Sequence, residues 1–152
     1  MLKTMFIALL LGLGLLPPSA ARAAGLCAAH PNDDTLRPLP AALAPRVQQA
    51  FGLRDMTAAQ TQNMTVMRCM DGKPYACFAG ANLPCGKANM ATNLPGTAQW
   101  CARNKNADFI PAYISGHDTP YHWRCRGGEA VIVAPTAGLD VQGFFTQYWK
   151  PL

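Results

Sequence analysis

Residues 64–79 read MTVMRCMDGKPYACFA, with a run of strand-forming residues on either side of Asp71-Gly72. Aspartate followed by glycine is a strong signal for a two-residue hairpin turn, because both turn positions need a positive φ. The pattern therefore predicts a strand over 64–70 and a returning strand over 73–79. Pro74 cannot donate a hydrogen bond to a neighbouring strand, so the returning strand is expected at the edge of its sheet.

A second segment repeats this pattern further along the chain. WRCRGGE at 123–129 matches MRCMDGK at 67–73 in an Arg-Cys pair and in a glycine three residues after the cysteine. The apolar run AVIVA at 130–134 follows, and such a run is typical of a strand that is buried on both faces. The two hairpins are expected to pair into one small antiparallel sheet.

Short helices are predicted around the hairpins. Pro45 suits the first turn of a helix over 46–51, and Gly52 suits its end. A further helix is predicted over 97–104, while 55–63 fits either a helix or a loop. At the C-terminus Asp140 is expected to cap a helix, because apolar residues follow it at i, i+3, i+4 and i+7 spacing: Val141, Phe144, Phe145 and Tyr148. The predicted fold class is therefore α+β.

The Arg-Cys pair before a glycine turn resembles the strands of small periplasmic lysozyme-inhibitor domains, over this hairpin alone. The resemblance implies an exported protein that binds or inhibits a partner. Those domains are all-β, and the helix predicted at the C-terminus of this chain departs from their pattern.

The first 23 residues have the features of an export signal. Lys3 precedes an apolar run over 5–16, which is shorter than the roughly 20 residues needed to span a bilayer. Small residues at the end of the segment predict cleavage before Ala24. We therefore expect a periplasmic or secreted protein with no stable membrane span after cleavage.

The expected organisation has three parts. A signal peptide covers 1–23, a proline-rich N-terminal arm covers 24–44, and a single disulfide-stapled domain covers 45–152. Cys27 is the expected tether of the arm.

Charge argues against nucleic acid as a partner. Without Lys3 and Arg22 the chain has 11 basic and 8 acidic residues, a net charge of +3. A nucleic-acid-binding face needs clustered lysine and arginine. The densest groupings here, Arg124 with Arg126 and Arg103 with Lys105, are too small to form one.

The cysteines are the strongest sequence signal after residue 23, and they predict that disulfides stabilise the fold. Six follow the predicted signal peptide: Cys27, Cys69, Cys77, Cys85, Cys101 and Cys125. An even number of cysteines in an exported chain predicts disulfides, and the sequence leaves all 15 pairings open. There is no C-x-x-C motif, and the closest cysteines are eight residues apart. Redox and zinc sites need closer pairs, so no cofactor or metal is expected.

The segment SGHDTPYHW at 115–123 raises the main chemical question. It contains two of the three histidines and the only serine after residue 23. His117 and Asp118 are candidates for a general acid–base pair. No G-x-S-x-G elbow surrounds the serine, and an ordinary turn in which Asp118 bonds its own backbone explains the segment equally. Candidate ligand-binding residues lie in this loop and in the loop 82–89: Asn82, Lys87, Asn89 and His122.

These observations predict a small exported module that binds or inhibits an unknown protein or small-molecule ligand and has no evident catalytic machinery. A small periplasmic hydrolase that uses His117 and Asp118 is the first alternative. A purely structural envelope protein is the second.

Overall fold

The computed structural model describes residues 25–80, 83–135 and 138–152. The predicted signal peptide and Asn82 lie outside these ranges. The elements, in chain order, are β1 (Arg37–Pro38), a 3-10 turn (Ala41–Leu43), α1 (Ala44–Phe51), α2 (Ala58–Asn63), β2 (Thr65–Met70), β3 (Lys73–Phe78), α3 (Pro95–Arg103), α4 (Ala112–Ser115), β4 (Tyr121–Arg126), β5 (Glu129–Pro135), a second 3-10 turn (Thr146–Tyr148) and β6 (Lys150–Pro151). The predicted α+β class and both hairpins are confirmed.

The two hairpins lie in separate sheets rather than in one. The first sheet has the order β1-β2-β3-β6, and β4 and β5 form a second, two-stranded sheet. The first hairpin cannot accept the second because β1 and β6 already occupy its two sides. The expectation of a single sheet was wrong for this reason.

The strand β3 is not an edge strand, although Pro74 predicted one. Tyr75 and Ala76 pair with Pro151 and Lys150 of β6. The carbonyl of Pro74 accepts a hydrogen bond from the Leu152 amide at 2.9 Å. The neighbouring segment therefore uses the acceptor that proline retains and does not need the donor that proline lacks.

Three hydrophobic clusters of described residues support the two sheets, and the third joins Cys77 of β3 to Phe144 and Trp149 of the C-terminal segment. The first packs α1 and the arm against the four-stranded sheet through Leu39, Leu43, Val47, Met67 and Ala76. The second packs α3 against β4 through Cys101, Ile110, Trp123 and Cys125. The described part of the arm therefore contributes a strand and core residues.

Three disulfides cross-link these parts: Cys27–Cys69, Cys77–Cys85 and Cys101–Cys125. All six predicted cysteines are used, and the pairing that the sequence left open is now assigned. The first bridge ties the arm to β2, the second closes the loop after β3, and the third joins α3 to β4. Along the described ranges, no helix has both the length and the apolar character that crossing a membrane would require.

The predicted C-terminal helix does not form. The carboxylate of Asp140 accepts hydrogen bonds from the amides of Gln142 and Phe144, at 2.9 and 3.0 Å. The Asp140 amide in turn donates to the Phe144 carbonyl at 2.9 Å. These bonds close a tight turn in place of the first turn of a helix. Val141, predicted to be part of an apolar stripe, is fully exposed.

Candidate functional site

A cleft of about 500 Å³ lies between the segment 109–123 and the C-terminal segment 145–148. The first wall includes α4 and the start of β4, and the second wall is the 3-10 turn with Phe145 before it. The lining residues with large or polar side chains are Phe109, Ile110, Ser115, His117, Thr119, Tyr121, His122, Trp123, Phe145, Gln147 and Tyr148.

The first wall is shaped by two backbone features. The Ile110 amide donates to the Trp123 carbonyl at 2.8 Å, which holds the segment against β4. The helix α4 then ends at Gly116, whose φ of +92° is strained for any residue with a side chain. This glycine redirects the chain so that His117 and then β4 follow along the cleft.

Substitution of Gly116 tests this wall. A Cβ atom there would lie 2.6 Å from Asp118 Oδ1, which can rotate away, so the main cost of Gly116→Ala is the strain of a side chain at a φ of +92°. We expect a loss of about 1–3 kcal/mol in the free energy of unfolding, measured by chemical denaturation. Gly86→Ala is the matched control, because nothing lies within 4 Å of its Cβ position. Equal stability of the two variants would show that Gly116 is not required for this turn.

The structure places both histidines of the segment 115–123 in the lining of the cleft and Asp118 outside that lining. His117 and His122 are both exposed and both line the cleft, whereas Asp118 does not. Among the described residues, no hydrogen bond or ion pair joins the His117 and Asp118 side chains. The Asp118 carbonyl instead accepts from the Asn89 amide at 2.7 Å, which connects the loop 83–89 to this segment.

Ser115 is buried in the cleft wall. Within the described ranges its hydroxyl makes no hydrogen bond to either histidine. A serine nucleophile needs such a contact with its base. The cleft therefore places Ser115, His117 and His122 on one surface without linking them as a catalytic set.

Aromatic rings dominate the cleft. Tyr121 and Trp123 pack edge to face, with their centroids 6.1 Å apart, and Phe145 and Tyr148 pack against each other at 5.7 Å. Phe109 completes a set of five rings in the lining, of which Phe109, Tyr121 and Tyr148 are accessible and Trp123 and Phe145 are buried. None of the described lysine, arginine, aspartate or glutamate side chains lines the cleft. Such a surface suits an uncharged ligand that stacks on rings and exchanges hydrogen bonds with imidazole, hydroxyl and amide groups.

Two other candidate ligand-binding residues, Lys87 and Asn89, make side-chain contacts within the protein. Lys87 forms an exposed ion pair with Asp34 at 2.6 Å, and the bond from Lys87 holds the pKa of the Asp34 carboxyl below its ordinary value. The Asn89 side chain accepts from the Ala91 amide at 3.1 Å. Neither Lys87 nor Asn89 lines the cleft, so of the described ligand candidates only His122 does.

Arg68 positions the second wall, although in the sequence its only distinguishing feature is the repeated Arg-Cys pair. Its side chain is fully buried in β2 and forms an ion pair with Asp140. The guanidinium carbon lies 4.2 Å from the ring centroid of Phe144 and 4.7 Å from that of Trp149. The Arg68 side chain also donates to Gln142 Oε1 at 3.0 Å. One buried cation thus fixes the chain on both sides of the wall 145–148.

The same contacts lower the pKa of the Asp140 carboxyl. Its partial burial raises the pKa, but hydrogen bonds from the Phe144 amide and from Arg68, together with the Arg68 charge, outweigh that effect. The net result is a pKa below the ordinary aspartate value. Asp140 is therefore the counter-ion of Arg68 at neutral pH.

The described residues contain no group of three or more histidine, cysteine, aspartate or glutamate side chains that could hold a metal ion. No protein-family model, curated protein or solved structure matches the chain. The lining of the cleft is therefore the main guide to its function.

Proposed function

We propose that this protein is an exported binding or inhibitory module whose ligand occupies the cleft between 109–123 and 145–148. The observation that carries the proposal is the lining: the accessible rings of Phe109, Tyr121 and Tyr148 and two exposed histidines, with no permanently charged side chain contributed by the described residues. The volume of about 500 Å³ falls within the range of about 300–1,000 Å³ that is usual for ligand pockets.

Exposed aromatic side chains next to the cleft support the same proposal. Phe109 at the cleft is 70% exposed, and Tyr113 on α4 is 73% exposed. Tyr113 is held by an edge-to-face contact with Trp100 at 6.4 Å. Aromatic side chains displayed on a fixed surface are typical of binding interfaces, because they provide contact area at a small entropic cost.

The scaffold suits an exported protein. Three disulfides stabilise it, and such bonds persist in oxidising compartments. The predicted signal peptide would deliver the chain to such a compartment. The ligand is then a protein or a small molecule of the envelope or the surroundings, and an uncharged contact surface is its expected common feature.

Two cleft variants test this function. Phe109→Ala and His122→Ala remove exposed side chains from the lining, so the fold should survive both. The immobilised wild-type protein is incubated with an envelope extract of its source, and captured proteins and small molecules are quantified by mass spectrometry. We expect at least one species whose capture falls roughly tenfold in each variant, equivalent to about 1.4 kcal/mol of binding energy.

Val141→Ala is the control, because Val141 is fully exposed and does not line the cleft. It should capture the same species as the wild type. Capture that is equal in all four proteins, or no capture by folded wild-type protein, would contradict a binding role for the cleft. Circular dichroism of each variant establishes that the protein under test is folded.

A further inference from the structure

The strand β4 is irregular where it borders the cleft. Tyr121, His122 and Trp123 all line the cleft, although successive side chains of a regular strand point to opposite faces. The register of β4 with β5 skips Val133 between His122 and Trp123, so a β-bulge lies at this point. Bulges change the direction of side chains and are common beside functional sites. The backbone therefore has a feature that is expected next to a ligand site.

The polar groups of the lining can both donate and accept hydrogen bonds. They are the hydroxyls of Ser115, Thr119, Tyr121 and Tyr148, the imidazoles of His117 and His122 in their neutral form, and the amide of Gln147. An ammonium group only donates and a carboxylate only accepts, so a charged ligand uses half of this capacity. A ligand hydroxyl donates and accepts, and a ligand with several hydroxyls therefore matches the lining best.

Two of these hydroxyls lie in the wall of the cleft, where Ser115 and Thr119 are each 8% exposed. The Tyr121 amide and Trp123 Nε1 donate to Thr119 Oγ1, at 3.4 and 3.5 Å. The protein thus occupies the acceptor capacity of this oxygen. Among the described residues, none accepts the Thr119 hydroxyl proton. That proton is available to an oxygen of the ligand.

The accessible rings of Phe109, Tyr121 and Tyr148 provide a stacking surface. The face of an aromatic ring is negative, so it attracts the weakly positive C–H groups of a sugar. Phe109 is 70% exposed, and Tyr113, four residues further along, is 73% exposed outside the lining. A chain of several sugars would therefore contact more aromatic surface than a single sugar.

We propose that the ligand of this cleft is a neutral oligosaccharide, an inference that rests on the proposed binding function of the cleft. The rings contact the C–H faces of the sugars, and the hydroxyl, imidazole and amide groups bind the sugar hydroxyls. An extended peptide fits less well, because β4 is already hydrogen-bonded to β5 on one side and to the segment 107–110 on the other. The strand at the cleft therefore offers no row of free backbone groups to a peptide.

The test is calorimetric titration of the exported protein with tetrasaccharides. Chitotetraose represents the N-acetylated glycans of cell walls, and cellotetraose and maltotetraose represent unsubstituted hexose polymers. At least one of these neutral probes should bind with a Kd of about 1 mM or tighter, and roughly tenfold tighter than its monosaccharide. Tetragalacturonate, which carries a carboxylate on each sugar, should bind more weakly than that probe.

Two variants separate stacking from hydrogen bonding. Phe109→Ala removes an exposed ring, whereas His122→Phe keeps a ring and removes a donor and an acceptor. Each should weaken binding of the neutral tetrasaccharide roughly tenfold. Val141→Ala, at a fully exposed residue outside the lining, should bind like the wild type. An apolar ligand would instead lose affinity in Phe109→Ala alone.

Three results would overturn the proposal. The first is no binding of any neutral tetrasaccharide. If the envelope extract still yields a peptide or an apolar molecule whose capture depends on the cleft, the binding function stands and the ligand class is wrong; if it yields nothing, both proposals fail. The second is tighter binding of tetragalacturonate than of the neutral probes. The third is glycan binding that either Phe109→Ala or His122→Phe leaves unchanged, because the sugar would then not use the rings and hydrogen bonds of the cleft together.

Discussion

Asp140→Ala should lower the free energy of unfolding by about 3–5 kcal/mol, which is the usual cost of leaving one member of a buried ion pair without its partner. Arg68 is fully buried, and Asp140 is its counter-ion. The substitution also removes the carboxylate that accepts hydrogen bonds from the Gln142 and Phe144 amides. Those bonds close the turn at the start of the second wall. Chemical denaturation followed by tryptophan fluorescence measures the loss.

Asp33→Ala is the matched control for this ion pair. Asp33 also pairs with an arginine, but the Arg37 side chain is 30% exposed, so water can replace the lost contact. Its removal should cost at most about 1 kcal/mol. The double variant Arg68→Met with Asp140→Ala removes both charges and should recover part of the loss. If Asp140→Ala costs no more than Asp33→Ala, the Arg68 charge must be balanced by other groups.

Acid should have the same effect as the substitution, and the sign follows from the lowered pKa of Asp140. A carboxyl whose pKa is lower in the folded protein contributes stability that is fully present above the unfolded value, about 3.9. This contribution is lost as the pH falls through the folded value. Asp140→Asn should therefore be less stable at neutral pH and show a smaller further loss in acid. An unchanged acid dependence in this variant would assign the effect to other carboxyl groups.

Features that short stretches of sequence determine were predicted well. The first hairpin follows from Asp71-Gly72, which take φ values of +49° and +70°. The helix α1 has proline in its first turn and ends at Gly52, as predicted. In each case, the residues that determine the backbone are adjacent in the chain. Local propensity and turn chemistry therefore suffice.

Features that depend on distant contacts were not predictable. The apolar spacing after Asp140 suits a helix, but the buried Arg68, 72 residues earlier in the chain, binds the carboxylate in the turn conformation. The apolar run 130–134 is typical of a strand buried on both faces, but Ile132 is 37% and Val133 53% exposed, because β4 is the only described strand that pairs with β5. The loop with His117 and His122 was identified as a candidate site, and the structure adds the wall 145–148 opposite them. Only the tertiary fold brings that wall close.

Replacing Cys27 and Cys69 together by alanine should lower the free energy of unfolding by about 4 kcal/mol. The two residues are 42 positions apart, the widest separation among the three bridges. In the chain-entropy account, a disulfide acts mainly by restricting the unfolded chain, and its effect grows with the logarithm of the loop length. Denaturant titration of the double variant, with both its midpoint and its slope, measures the loss.

The pair Cys77 and Cys85 provides the comparison, because the same double replacement by alanine opens a loop of only eight positions. Its expected cost is about 2.5 kcal/mol, so the two variants should differ by about 1.5 kcal/mol. An equal cost, or a larger cost for the short loop, would mean that packing in the folded state outweighs chain entropy at these bridges. The bridge Cys77–Cys85 would then stabilise the protein chiefly by holding the loop after β3 against the third core cluster around Phe144 and Trp149. In that case its loss should also loosen the second wall of the cleft, and ligand capture should fall with stability.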